Sequence, residues 1–315
     1  MFYTHGQLDR ADHLRRDDVV LQSLSLQQNA IVLPVWRGKM LVHDTADGTP
    51  CMAHLNGPSP LGQTNSTLFL GLLEQAPVFA TSLSTYTEQE LAEVVAKAEI
   101  ANASNIRFDD LRVVGPLLAA NEGALMAYAR GLVHWHDTCQ YCSRCGYALQ
   151  SIHGGHIKTC ENKHCDYQSF PRTDPAVIML VTKPATATEP AMSLLGRSSA
   201  WPRGVFSTLA GFVETGESLE QAVQREVFEE AGIETTDVQY VASQPWPFPR
   251  SIMLGFEATA TSYTIKRDAN ELEDAQWFTR AQLKTFGTWG DEQFEYQLPR
   301  PDSIARFLID RWLAR

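Results

Sequence analysis

The strongest constraint on the fold of this chain is a glutamate-rich segment at residues 211–233. Within it, Glu226, Glu229 and Glu230 are spaced i, i+3 and i+4, which places their carboxylates on one face of a helix. Carboxylates this close repel one another unless cations lie between them, and Mg²⁺ and Mn²⁺ prefer oxygen ligands. The spacing predicts a helix over residues 218–231 that binds divalent cations. Apolar residues form the opposite, core-facing stripe: Leu219, Ala222, Val223 and Val227.

A solvated acidic helix face, held by salt bridges, is the alternative interpretation of this glutamate run. Gly211 and Gly216 argue against it, because glycines permit a tight loop that brings the backbone close to bound cations. Arg225 is spaced to pair with Glu229 or with Glu217. We therefore expect Arg225 and Glu217 to have structural roles.

Five of the six cysteines fall within residues 139–165. Cys142 and Cys145 form one Cys-x-x-Cys pair, and Cys160 and Cys165 form a second pair with four residues between them. Two such pairs are typical of a zinc ribbon, in which four sulfurs surround one Zn²⁺ tetrahedrally. Because a closed four-sulfur shell leaves no position for water, we predict a structural zinc rather than a catalytic one.

The sequence leaves alternatives to this zinc ligand set. Cys139 and Cys142 form an equally well-spaced pair. We prefer Cys142 with Cys145, because Gly146 follows the second cysteine and Tyr141 precedes the pair as an aromatic cover. The cysteines could also be unrelated buried thiols, or nearby histidines could serve as ligands, namely His153, His156 and His164.

Charge and composition exclude several classes of protein. The chain has 26 Lys and Arg against 37 Asp and Glu, so its formal charge of −11 repels polyanions. Residues 137–171 hold three cations and three anions, so the ribbon has no basic stripe of the kind that binds nucleic acid. No apolar run approaches the ~20 residues needed to cross a bilayer, and the N-terminus lacks an apolar signal. We expect a cytoplasmic protein without membrane association.

The length of 315 residues favours two or three domains. Towards the N-terminus, a strand-like piece at residues 30–36 is followed by helical stretches at 87–98, which starts with a capping box, and 116–136. From residue 176 onward, short β-rich runs surround the glutamate helix, which is typical of an α/β domain. We therefore expect an N-terminal α+β domain at 1–136, a zinc ribbon at 137–171 and an α/β domain at 172–315.

A segment suited to binding a flat ligand follows the glutamate helix at residues 243–251. Three prolines at alternate positions stiffen it, and Trp246 and Phe248 supply flat apolar surfaces. The pattern predicts a rigid binding loop. Taken alone, the same residues are also compatible with an SH3-type ligand or an ordinary loop.

These motifs resemble those of a known family. Residues 211–233 fill every specified position of the Nudix box: Gly, five spacers, Glu, seven spacers, Arg-Glu, an apolar residue, one spacer, Glu-Glu, one spacer, Gly and an apolar residue. The SQPWPFP array at 243–249 is similar to one that marks the NAD(H) pyrophosphatase branch of the Nudix hydrolases. Further similarity covers the zinc knuckles, FPRTDP at 170–175, ELEDAQWF at 271–278 and SIAR at 303–306.

The resemblance implies a fold and a set of site residues. The C-terminal domain would be a Nudix α/β/α sandwich, preceded by the zinc ribbon and the N-terminal α+β domain. Glu226, Glu229 and Glu230 would be catalytic. The Mg²⁺ or Mn²⁺ ions would be held by the carbonyl of Ala210 and by Glu226, Glu230 and Glu271. The dinucleotide would contact Arg112, Phe170, Phe212 (placed to stack on a base), Gln244, Pro245, Trp246, Pro247, Phe248, Pro249, Arg250, Ser251 and Ala305.

The reaction that the resemblance implies is hydrolysis of the pyrophosphate of NADH or NAD⁺ to nicotinamide mononucleotide and AMP. Removal of an NAD cap from RNA would be the same reaction, and the family also suggests a homodimer. The alternatives are a pyrophosphatase acting on another nucleoside diphosphate derivative such as ADP-ribose, or a non-catalytic nucleotide-binding or RNA-binding zinc protein. One departure is the four-residue gap between Cys160 and Cys165, where many relatives have two, so the zinc loop is expected to differ.

Overall fold

A computed structural model of the chain describes residues 1–58, 67–97 and 104–315. The chain divides into two compact units. The N-terminal unit contains Phe2–Thr173 and Trp246–Arg250, and the C-terminal unit contains Met1, Asp174–Pro245 and Ser251–Arg315. The predicted ribbon thus lies within the N-terminal unit, and a division into three domains with boundaries after residues 136 and 171 stays a prediction.

A sheet forms the centre of the N-terminal unit. Its strands are β1 (Ile31–Trp36), β2 (Lys39–Asp44), β3 (Pro50–Met52), β4 (Leu55–Asn56), β5 (Thr67–Leu73), β6 (Ala76–Ser82) and β7 (Ser104–Asp110). They follow the order β3-β2-β1-β6-β5, with β4 beside β1 and β7 beside β2. The strand predicted at residues 30–36 is confirmed as β1. It is apolar throughout because five of its six residues are buried, on both faces of the sheet.

The helices described in the N-terminal unit are α1 (Asp18–Ser25), α2 (Glu88–Lys97), α3 (Leu111–Val114) and α4 (Ala120–Thr138). The predicted capping box of α2 is confirmed, since Thr87 and Glu90 exchange backbone-to-side-chain hydrogen bonds of 2.8 and 3.3 Å. Ala98, the last apolar position of the predicted pattern, lies outside the described residues. The predicted start of α4 at residue 116 is wrong, because the extended backbone of Leu118 separates a 3-10 turn from the helix. No helix in the described ranges is long and apolar enough to cross a membrane.

The ribbon is a three-stranded antiparallel sheet of β8 (Leu149–Ile152), β9 (Ile157–Cys160) and β10 (Gln168–Ser169). Hydrogen bonds attach it to the rest of the N-terminal unit. Nε2 of His156 donates to the carbonyl of Phe69 at 2.8 Å, and Nε2 of His136, on α4, donates to the carbonyl of Gly155 at 2.7 Å. Nζ of Lys158 donates to two carbonyls at the C-terminal end of α4, where the helix dipole favours a cation.

The C-terminal unit is built on a mixed sheet. Its elements are β11 (Asp174–Lys183), β12 (Met192–Arg197), β13 (Leu209–Phe212), α5 (Leu219–Ala231), β14 (Thr235–Trp246), β15 (Ser251–Ala260), β16 (Asp274–Thr279), α6 (Arg280–Leu283), β17 (Gly287–Thr288), β18 (Gln297–Leu298) and α7 (Ile304–Leu313). The main sheet has the order β14-β15-β11-β12-β16, and β13 also pairs with β11. β11 and β15 are parallel, whereas β12 and β13 run antiparallel to β11.

The side chains of β11 alternate between two cores. Val177, Met179 and Val181 pack with the apolar stripe of α5, and Ile178 and Leu180 pack with α7. This alternation places one helix on each face of the sheet, and burying each such side chain contributes about 1.5–3 kcal/mol. The predicted α/β/α sandwich and the core-facing stripe of the glutamate helix are confirmed.

The histidines that dock the ribbon make stability depend on pH. Burial lowers the pKa of both His136 and His156 to about 4, whereas an unfolded histidine titrates near ~6.5. The folded chain keeps both rings neutral down to about pH 4, whereas the unfolded chain takes up protons on them below about pH 6.5. Protonation therefore favours the unfolded chain, so the stability of the folded chain is greatest above the unfolded pKa and falls as the pH decreases towards 4. We expect the free energy of unfolding in urea to fall by on the order of 1–2 kcal/mol per histidine between about pH 7 and pH 5.

The variant His156→Gln isolates this effect, because glutamine keeps a donor for the carbonyl of Phe69 but does not titrate. It should lose less stability than the wild-type chain on acidification. The exposed His5 provides the control, and His5→Gln should follow the wild-type chain. An identical pH dependence in His156→Gln and wild type would contradict this account.

Candidate active site

The glutamates lie on α5, and the predicted limits of this helix are confirmed. Ser218 and Gln221 form a capping box in which each side chain accepts the backbone N–H of the other, at 3.2 and 2.9 Å. Gly232 ends the helix with a φ of 67°, a conformation that glycine adopts without strain. The apolar stripe of α5 packs on the sheet. The glutamates therefore lie on the opposite face of the helix.

Glu230 is the most buried carboxylate of α5, with 8% of its surface exposed. Its Oε2 is buried and has no hydrogen-bond partner among the described residues. Burial, together with the charges of Glu226 and Glu271, raises the pKa of Glu230 to about 8. A buried carboxylate oxygen without a donor is destabilising. A divalent cation would supply the missing partner, so this residue fits a metal ligand.

Glu226 and Glu271 lie close enough to Glu230 for their charges to raise its pKa. Burial raises the pKa of Glu226, Arg225 opposes this increase, and the charges of Glu229 and Glu271 add to it. Among the described residues, the four cysteines of the ribbon are the group of possible metal ligands that converges, and these carboxylates do not form such a group. The three carboxylates are nevertheless oxygen donors of the kind that Mg²⁺ and Mn²⁺ bind. Glu229 differs from Glu226, since 54% of its side chain is exposed against 12%.

Arg225 ties the loop before α5 to the helix. Its Nε lies 2.6 Å from Oε1 of Glu217, and its Nη2 donates to the carbonyl of Phe212 at 2.9 Å. Its Nη1 lies 2.9 Å from both Oε1 of Glu226 and Oε2 of Glu229. One guanidinium therefore fixes the loop and orients two glutamates. These contacts agree with the structural roles expected for Arg225 and Glu217.

β13 passes close to α5 at Gly211. A Cβ atom at this position would overlap the carboxylate of Glu226, which would have to move away from its present place beside β13. Ala210, whose carbonyl is a predicted metal ligand, precedes Gly211 and pairs with Ile178 of β11. The structure therefore places the backbone of β13 beside one of the predicted metal-binding carboxylates.

The four predicted zinc ligands come together. The Sγ atoms of Cys142, Cys145, Cys160 and Cys165 all lie within 4.8 Å of one another. The separation is 3.9 Å between Cys142 and Cys165, and 3.4 Å between Cys145 and Cys160. A hydrogen bond from the backbone of Tyr147 lowers the pKa of the Cys145 thiol to about 7, whereas burial raises the pKa of the Cys160 thiol. Four converging thiols fit a closed, structural Zn²⁺ site.

The alternative ligands lie elsewhere. Cys139 Sγ is 3.3 Å from Oγ of Ser169, and His156 is engaged by Phe69, so neither belongs to the set of four. The long gap of the second knuckle is closed by a turn, in which the N–H of Cys165 donates to the carbonyl of Asn162 at 2.8 Å. The longer spacing therefore still delivers its second thiol to the cluster.

We expect Cys145→Ser to lose zinc, because the closed site needs all four thiolates. The purified variant should hold well under one zinc ion per chain by elemental analysis, whereas the wild-type chain should hold about one. Its thermal unfolding midpoint should also fall, since the metal joins the two knuckles of the ribbon. Cys139→Ser is the matched control and should keep its zinc. Loss of zinc in Cys139→Ser with retention in Cys145→Ser would overturn the ligand assignment.

The proline-rich segment is only partly a loop. Its first residues form the end of β14, residues 247–250 form a turn with a cis peptide bond between Phe248 and Pro249, and Ser251 starts β15. Trp246–Arg250 packs with the N-terminal unit. The sequence analysis missed two residues that contact this segment, Tyr3 and Arg130. No local pattern indicates them, because the contacts join distant parts of the chain.

Gln244 does not have the free side chain that a direct substrate contact requires. It is fully buried in β14. Its Nε2 donates to the carbonyl of Asp302 at 2.8 Å, and its Oε1 accepts the N–H of Ile304 at 2.8 Å. The amide of Gln244 thus anchors the first turn of α7, and its part in shaping the dinucleotide pocket stays a prediction. That turn carries Ala305, which is buried as well.

The other predicted contact residues differ in exposure. The rings of Phe170 and Phe212 are 57% and 60% exposed and are free to stack on a flat ligand. Arg112 is held by Asp110 at 3.1 Å, and its guanidinium carbon lies 5.3 Å from the ring centroid of Phe248. The structure therefore brings Arg112 together with the proline-rich segment.

Both units match models of protein families. Residues 172–298 match the NUDIX domain, and residues 29–135 match the NADH pyrophosphatase-like rudimentary NUDIX domain. The chain is 36% identical to the NAD-capped RNA hydrolase NudC of Pseudomonas entomophila over 252 residues. These residues make up 78% of this chain and 77% of the relative. The chain therefore belongs to the Nudix hydrolase family.

Two further relatives carry similar names. The NAD-capped RNA hydrolase NUDT12 of Homo sapiens is 43% identical over 202 residues, which cover 62% of this chain and 43% of the relative. The NAD-capped RNA hydrolase NudC of Mycobacterium bovis is 38% identical over 210 residues, covering 65% of each. This chain thus spans less than half the length of the human protein that it matches.

Proposed function

We propose that the protein hydrolyses the pyrophosphate bond of NADH or NAD⁺ to give nicotinamide mononucleotide and AMP. The observation that carries this proposal is the buried, unpartnered carboxylate of Glu230 beside Glu226 on the Nudix helix. The names of the similar proteins, NAD-capped RNA hydrolases from a bacterium and from human, support a dinucleotide substrate. The second matched family model, which is NADH pyrophosphatase-like, supports the same substrate class.

We propose Mg²⁺ or Mn²⁺ as the catalytic ion, held by the carbonyl of Ala210 and by Glu226, Glu230 and Glu271. When bound, such ions neutralise the diphosphate and lower the pKa of the attacking water. The burial of Glu226 and Glu230 supports this assignment, because buried carboxylates bind cations with little competition from solvent. Glu230 or the exposed Glu229 would accept the proton of the water.

The remaining proposed contacts are with the dinucleotide. Phe212 and Phe170 present exposed rings suited to stacking, and Arg112 presents a guanidinium suited to a phosphate. Ala305 would act through its backbone, and Gln244 through the position of α7. The other proposed contacts belong to the proline-rich segment: Pro245, Trp246, Pro247, Phe248, Pro249, Arg250 and Ser251. A homodimer and a cytoplasmic location also remain proposals.

We expect Glu230→Gln to lower the rate of AMP release from NADH by about 10²–10⁴-fold, since it removes a metal ligand or base. The assay is product analysis by chromatography with Mg²⁺ or Mn²⁺, and with EDTA as the control. The amide keeps the shape of the side chain and, like the largely protonated carboxyl that a pKa of about 8 implies at pH 7, carries no charge, so the metal-free variant should unfold at no lower temperature than wild type.

Glu220→Gln is the matched control for that variant, because Glu220 lies exposed on the same helix. It should retain wild-type turnover. Full activity in Glu230→Gln would remove Glu230 from the reaction, and release of no AMP by the wild-type protein with either metal would contradict the proposed activity.

NAD-capped RNA is the second candidate substrate, and the names of the relatives favour it. The bond cleaved would be the same. The formal charge of −11 opposes contact with an RNA backbone, so we expect the cap to be the part that is recognised.

This expectation predicts that the affinity for NAD-capped RNA depends only weakly on salt. Binding measured by fluorescence anisotropy between about 50 and 200 mM salt should change by less than about tenfold. Uncapped RNA of the same sequence is the control and should bind weakly throughout. A steep decrease with salt, shared by both RNAs, would instead indicate a protein that contacts the RNA backbone.

A further inference from the structure

An aromatic cluster holds the Trp246–Arg250 segment within the N-terminal unit. The ring centroid of Phe248 lies 5.1 Å from that of Trp246 and 6.2 Å from that of Tyr3, with interplanar angles of 76° and 66°. Trp246 and Tyr3 are 6.4 Å apart in the same edge-to-face arrangement. These geometries are the attractive ones for aromatic pairs. Tyr3 therefore contacts both aromatic residues of the segment.

Arg130 of α4 braces the other side of Phe248. Its guanidinium carbon lies 4.8 Å from the ring centroid, within the range of a cation–π contact. Its Nε donates to the carbonyl of Gly38 at 2.9 Å, and its Nη1 reaches the carbonyl of Pro249 at 3.5 Å. Only 9% of Arg130 is exposed. A buried guanidinium of this kind acts as a planar brace that a lysine cannot reproduce.

Tyr3 also connects the segment to α3. Its Oη donates to the carbonyl of Leu111 at 3.1 Å, and Gly115 leaves room for the tyrosine ring. The next residue of α3 is Arg112, which lies over Phe248. Tyr3 thus fixes Trp246–Arg250 relative to α3, the helix on which Arg112 lies.

We propose that Arg130 and Tyr3 are positioning residues for dinucleotide recognition, acting through the shape of Trp246–Arg250. The proposal rests on the proposed function, in which this segment contacts the dinucleotide. A segment held in place before binding avoids the entropic cost of ordering it on the ligand. Loosening it should therefore raise KM while kcat changes little, because the glutamates of α5 are untouched.

The test uses the full-length, zinc-loaded protein and the variant Arg130→Lys. Hydrogen exchange, measured without substrate, should accelerate by about tenfold in the peptide covering residues 246–252, because lysine loses the brace on Phe248 and Pro249. KM for NADH should rise by about tenfold, with kcat within about threefold of wild type. Arg10→Lys is the matched control, since Arg10 stacks 3.5 Å from the ring of Tyr128 in the same unit, and it should leave the exchange of this peptide and KM unchanged.

Tyr3→Phe is the second variant, and it carries the test if Arg130→Lys does not fold. It keeps the ring but loses the hydrogen bond to Leu111, so it should shift exchange and KM in the same direction by a smaller factor. Unchanged exchange in the segment would overturn the proposal, and so would faster exchange without a rise in KM. Exchange requires no turnover, so a wild-type protein that leaves NADH intact would contradict the proposed function separately.

Discussion

The rest of the site depends on the burial of Glu230, whose Oε2 has no hydrogen-bond donor. The neighbouring charges of Glu226 and Glu271 make its ionisation still less favourable. The surrounding structure holds these groups together despite their repulsion: α5 is capped, its apolar stripe is packed on the sheet, and Arg225 orients Glu226. This arrangement is destabilising without a cation and favourable with one, which is the expected compromise of a metal site in a folded chain.

The N-terminal unit links the ribbon, α4 and the proline-rich segment. Its ribbon gathers four thiols, and it docks on the sheet through His156 and on the C-terminal end of α4 through Lys158. The same helix carries Arg130, which lies against Phe248. The ribbon, α4 and Trp246–Arg250 thus form one continuous set of contacts within the N-terminal unit. In the proposal above, Arg130 and Tyr3 of this unit act through the shape of Trp246–Arg250.

Local patterns predicted the parts of the fold that local chemistry determines. The spacing of Glu226 and Glu230, the limits of α5 and the cysteine pairs each depend on residues close in sequence, and the structure agrees with all three. The start of α4 was missed because an extended residue interrupts an apolar pattern that continues through it. The burial of Gln244 and the contacts of Arg130 could not be predicted, since each joins segments that are distant along the chain.

The central claim is that divalent cations replace the missing partner of Glu230. The most direct measurement is calorimetric titration of the metal-free glutamate site with Mn²⁺ at about pH 7, in buffers of different ionisation enthalpy. Because the pKa of Glu230 is about 8, the account predicts that Mn²⁺ binds and displaces up to about one proton, and that Glu230→Gln abolishes the proton release. Binding without proton release, or no binding at all, would contradict it.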